Sequence, residues 1–139
     1  MPASSPKTIN HVLWIAQTLT ALLFLFAGFM KFVTPVEQMQ QGGVSLPGSF
    51  IHFIGICECL GALGLLLPGI LRIHTWLTPL AAAGLTIIMA GAVSITIPAM
   101  GVAAAIFPAV VGIVTSWIAY GRSTVAPVRT APRRVLHTA

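Results

Sequence analysis

The chain has 139 residues, 57% hydrophobic and 6% charged, with seven Lys and Arg against two Asp and Glu and a net charge of +5. A soluble domain carries about 25% charged residues; a water-soluble globule with so few, and with a mean hydropathy of +0.98, would lack a polar surface, whereas lipid covers a membrane bundle. The basic residues are scattered singly or lie in the tail, which argues for membrane topology and against a nucleic-acid partner.

The first apolar run, Val12 to Met30, has no charged residue and is closed by Lys31. It predicts a helix over 12–33 and is longer than the roughly 7–15 apolar residues of a signal peptide, so it reads as a retained anchor. At 100° per residue, Gln17, Thr20, Phe24, Ala27 and Gly28 share the face of Lys31, and Ile15, Leu22, Phe26 and Phe29 lie opposite. The connection that follows holds Pro35, Gly42, Gly43, Pro47 and Gly48 and reads as an irregular loop with room for a short interfacial turn.

The second run predicts a helix over 50–67 with Glu58 near its midpoint, where inserting an acidic side chain costs on the order of 3 kcal/mol. The carboxyl must therefore face protein or water. Ile51, Gly55, Gly61 and Ala62 fall on its side of the helix; Phe53, Ile56, Leu60, Leu63 and Leu67 fall on the other. This is the pattern of a helix that packs its small face on neighbours and turns its bulky side chains to lipid. Cys57 and Cys59 point about 200° apart and cannot bridge each other. They read as ordinary small apolar residues.

From Thr75 to Gly121 no residue is charged. That stretch exceeds the roughly 20 residues needed to cross a bilayer core, so it predicts two helices, 75–97 and 102–120, joined at "IPAMG". Pro68 and Pro98 read as helix ends, and Pro108 as a bend in the last helix. Ala104, Pro108, Gly112 and Ser116 form a small stripe there, and Gly84 and Gly91 add small positions to the helix before it.

The expected fold is an all-α integral membrane four-helix bundle with antiparallel up-down topology. Four spans place both termini and the link between the second and third helices on one side, where Lys7, Arg72, Arg122, Arg129, Arg133 and Arg134 collect; Lys31, beside Glu37, is alone on the other. The positive-inside rule then puts both termini in the cytoplasm. The chain divides into a tail over 1–11, a membrane domain over 12–121, and a basic, disordered tail over 122–139 drawn weakly to anionic headgroups.

If the first helix runs outward and the second returns, Glu58 lies about 12 Å below the outer end of its helix and Lys31 a few residues below the end of its own. A lysine side chain spans most of that difference. Lys31 is therefore expected to pair with Glu58, with Gln17 and Thr20 as further hydrogen-bond partners. An ion pair that only fixes helix register carries equal weight with a ligand role. Gly28, Gly55, Gly61, Ala62, Gly84, Gly91 and Gly112 are the expected helix-packing positions.

The four histidines are far apart along the chain, and no ligand spacing predicts a metal site. His52, His74 and Trp76 read as interfacial anchors. No phosphate loop, nucleophile elbow or carboxylate pair is present, so the chain is not expected to act as an independent enzyme.

The run "LFLFAGFMKF", then "FIGICECLGALGLLLPGI", then "LTPLAAAGLTIIMAGAV" resembles the DoxX-like family of small four-helix membrane proteins over about Trp14 to Tyr120. The elements that carry the resemblance are Gly28 with Lys31, Glu58 ahead of Gly61, Gly64 and Leu65 to Pro68, and the small-residue run ending at Ala92. Many relatives carry a histidine shortly after that run; Ser94, Thr96 and Pro98 stand there instead, against a histidine-based relay or metal site.

The resemblance implies a small accessory subunit or scaffold of a quinone-linked redox system in the plasma membrane. A bundle binding a quinone, lipid or other small apolar molecule at Glu58 and Lys31 is the alternative, and a small transporter the third reading. Partners implied are membrane lipids and either a membrane protein or further copies of the chain.

Overall fold

The protein is described by a computed structural model over residues 6–40 and 42–129. Uncharged runs rich in Leu, Ile and Ala become helices here because a lipid-facing backbone must satisfy its polar groups internally. The elements are α1 (Pro6–Val33), a short α2 (Val36–Gln40), α3 (Gly48–Leu71), α4 (Leu77–Met100), α5 (Val102–Tyr120) and a π-helical turn (Gly121–Val125). Four helical stretches are long and apolar enough to cross a membrane: Lys7–Val33, Gly48–Leu71, Leu77–Met100 and Val102–Val125. Among the described residues there is no strand.

The chain departs from the sequence expectation in three ways: the start of α1, the prolines inside α3 and α4, and the segment after α5. Helix α1 starts at Pro6, where a fixed φ and a missing N–H suit a first turn, and the polar residues Thr8, Asn10 and His11 continue it. Pro68 lies inside α3 and Pro98 inside α4, so neither ends its helix. Each proline removes one backbone bond, but bonds on either side continue, and α3 stops only at Arg72 in the left-handed region (φ 54°). The turn before α5 falls on Gly101, whose φ of 88° suits glycine.

The third difference lies past α5. Residue 122 onward was expected to be disordered, yet the chain makes a π-helical turn there and Arg122 is 2% exposed. Residues 1–5 and 130–139 of the expected tails lie outside the described residues.

Sequence neighbours pack together: α1 on α3, α3 on α4, and α4 on α5, with a smaller contact between α1 and α5. The core joins Ala21 and Phe24, Ala62 and Leu65, Ala82, Leu85 and Met89, and Val111 and Ile118. The opposite faces carry Phe26, Leu60, Leu80 and Ile113 into the surroundings, as lipid-facing side chains would.

Glycine sets the α1–α3 spacing. A Cβ on Gly28 would lie 2.8 Å from the Gly55 carbonyl oxygen and 2.7 Å from Cys59 Sγ. Gly61 packs on Leu85, Ala62 is fully buried, and Gly112 packs on Met89. Gly84 and Gly91 do not pack against a neighbouring helix: both are exposed, and added Cβ atoms would meet nothing within 4 Å.

Candidate functional site

Lys31 stands in the last turn of α1 and Glu58 on the small face of α3. The close approach at Gly28 and Gly55 brings the two helices near enough for the lysine to reach across. Its Nζ lies 2.7 Å from Glu58 Oε2 and 3.5 Å from the Ala27 carbonyl oxygen. Glu58 is 3% exposed, whereas the Lys31 side chain is 25% exposed. The carboxylate is thus enclosed, and the ammonium retains an open side.

Gln17 and Thr20 are not part of this pair. Fourteen residues separate Gln17 from Lys31, about 21 Å along a helix, so a shared face does not mean a shared depth. Gln17 Nε2 donates to the Leu65 carbonyl oxygen at 2.7 Å, and its Oε1 accepts from Arg122 Nε. Thr20 is buried, but the hydrogen bonds of Lys31 and Glu58 do not involve it.

Arg122 forms a second polar centre at the far end of the bundle, which the sequence reading missed. Its Nη1 donates to Asn10 Oδ1 at 2.7 Å and to the Ala126 carbonyl oxygen at 3.0 Å, and its guanidinium lies 5.1 Å from the Trp14 ring centroid. The available signal was Asn10 and Gln17, seven residues apart on one face of α1, opposite a chain that carries arginine directly after its last span. These bonds tie the end of α5 to α1.

Between the two helix pairs, on the Lys31 side of the core, lies a cavity of about 540 Å³. All four long helices line it, and Val44 and Leu46 of the α1–α3 connection contribute from above. That connection is held over the end of α4, where glycines 42 and 43 approach Met100 and Ala99. Phe24, Met89 and Val111 form a buried floor; Phe53, Ile87 and Phe107 line the cavity yet are more than half exposed, so its rim is apolar. The polar side chains in its wall are Lys31, Glu58 and Thr96. A concave apolar site of this size with a few convergent polar groups has the form of a small-molecule site.

Elsewhere polar groups serve packing. Thr86 Oγ1 donates to Thr115 Oγ1 at 2.9 Å, joining α4 to α5, and His52 stacks on Phe32 at 5.4 Å between centroids. Cys57 and Cys59 are free, half-buried thiols. Among the described residues no group of three His, Cys, Asp or Glu could hold a metal ion.

No curated protein and no solved structure matches the chain. The model of the DoxX-like family matches residues 15–119, a stretch that contains Lys31, Glu58 and the whole cavity lining, and the chain therefore belongs to the DoxX-like family of membrane proteins.

Proposed function

We propose that the protein binds a small apolar molecule drawn from the bilayer, held in the cavity with its polar end at Lys31 and Glu58. The observation that carries this reading is the 540 Å³ apolar space with a single ion pair in its wall. A pair serving only to fix helix register needs no cavity beside it. The opening among exposed apolar side chains suits entry from lipid rather than from water. Nothing in the lining selects a quinone over other apolar molecules.

In this reading the bundle has antiparallel up-down topology with both termini in the cytoplasm and sits in the cell membrane, on the strength of Lys7, Arg72 and Arg129. A photo-crosslinking residue tests the ligand reading at two sites: Ile88, which lines the cavity, and Ile113, which is 68% exposed and does not. The cavity site should capture one dominant small molecule, and the outward site a spread of phospholipids. The same phospholipid spread at both would reduce the cavity to lipid-filled flank.

The accessory-subunit reading stands second, favoured by Gly84, a small exposed position on α4 outside the cavity lining. Small residues let a helix of another chain approach closely. Gly84→Leu would then dissociate a partner that co-extracts at fixed ratio; unchanged co-extraction would remove this face as the contact.

A further inference from the structure

We propose that the cavity's ligand is a neutral amphiphile whose head group both accepts and donates a hydrogen bond, a hydroxyl in the simplest case. This rests on the reading of the cavity as a ligand site. Lys31 Nζ carries three protons. One goes to Glu58 Oε2 at 2.7 Å, a second points to the more distant Ala27 carbonyl oxygen, and the third is uncommitted on a side chain that lines the cavity. Glu58 bonds Lys31 through Oε2, and Oε1 accepts no hydrogen bond among the described residues. The wall therefore offers one donor and one acceptor side by side.

Charge narrows the ligand further. The ammonium and carboxylate neutralise each other, and Thr96, the third polar lining residue, is uncharged. A carboxylate or phosphate head brought to Lys31 would lie beside Glu58 and be repelled by it, and the low dielectric of the bundle strengthens that repulsion. An ammonium head meets the same obstacle from Lys31. A pure hydrocarbon would leave the ion pair intact but would cover the third ammonium proton and Glu58 Oε1, leaving those two without partners. A hydroxyl satisfies both at once, and its apolar tail fills the space towards Phe24, Met89 and Val111.

The test uses the full chain in lipid nanodiscs loaded with dodecanol, dodecane, dodecanoate or dodecylammonium at equal mole fraction, with occupancy read by native mass spectrometry. Dodecanol should exceed each of the others about tenfold, the factor that one hydrogen bond supplies. The preference should vanish in the double variant Lys31→Met, Glu58→Leu, in which no charge is left unpaired. Equal occupancy by dodecane would overturn the head-group assignment while leaving the cavity a ligand site. Strongest binding of dodecanoate or dodecylammonium would overturn neutrality. Absence of binding by all four would overturn the ligand-site reading itself.

Discussion

Lys31 and Glu58 meet at 2.7 Å across α1 and α3, but they are not equally enclosed: a quarter of the lysine side chain is exposed against 4% of the glutamate side chain. The lysine can turn its ammonium outward when its partner is lost; the glutamate has no such exit. Lys31→Met should therefore destabilise more, by about 3–5 kcal/mol, as expected for an uncompensated buried charge, than Glu58→Leu, at about 1–3 kcal/mol. The double variant should lie closer to wild type than Lys31→Met does, because replacing a whole pair by apolar groups is often near neutral. Thermal unfolding in detergent checks the order; equal stability of wild type and Glu58→Leu would remove the pair as a stabilising contact.

The glycines separate into two groups. Gly28→Ala would press a methyl group into the Gly55 carbonyl at 2.8 Å, a backbone atom with little freedom to yield. A loss of about 1–3 kcal/mol is expected, as for other overpacked sites. Gly84→Ala and Gly91→Ala meet open space and should be neutral, or stabilising by up to about 1 kcal/mol through helix propensity. Parallel denaturation curves of the three variants distinguish these outcomes.

Gln17→Leu should loosen the far end of the bundle. It strips Arg122 Nε of its acceptor and the Leu65 carbonyl oxygen of its donor. Leaving buried polar groups unpaired costs about 1–3 kcal/mol. Hydrogen exchange should accelerate first around residues 120–126, with the amides near Glu58 unaffected. Uniform acceleration along the chain would contradict two separate polar centres.

The helical faces were legible in the sequence because 100° periodicity fixes direction: Ile51, Gly55, Glu58 and Ala62 are buried on α3, and Phe53, Ile56 and Leu60 are exposed. Depth along a helix was harder to read. Gln17 shares the stripe of Lys31 yet bonds Arg122, because periodicity ranks residues by angle alone. Pro68 and Pro98 read as stops because proline rules describe a lost bond, not how many bonds on either side survive it. The cavity had no local signature at all. It arises where side chains of four separated segments fail to fill the space between helix pairs, and the glycine at position 91, expected to be packed, instead stands in its wall.

Ala92 lies in the cavity wall and is only partly buried, so Ala92→Phe should fill the space without disturbing the ion pair. Native mass spectrometry of wild type and Ala92→Phe, each released gently from its own membranes, tests ligand binding most directly. One defined small molecule retained by the wild type and lost from the variant, at unchanged thermal stability, is the predicted result. A wild type that retains nothing, or a variant that retains the same molecule at the same occupancy, would contradict it.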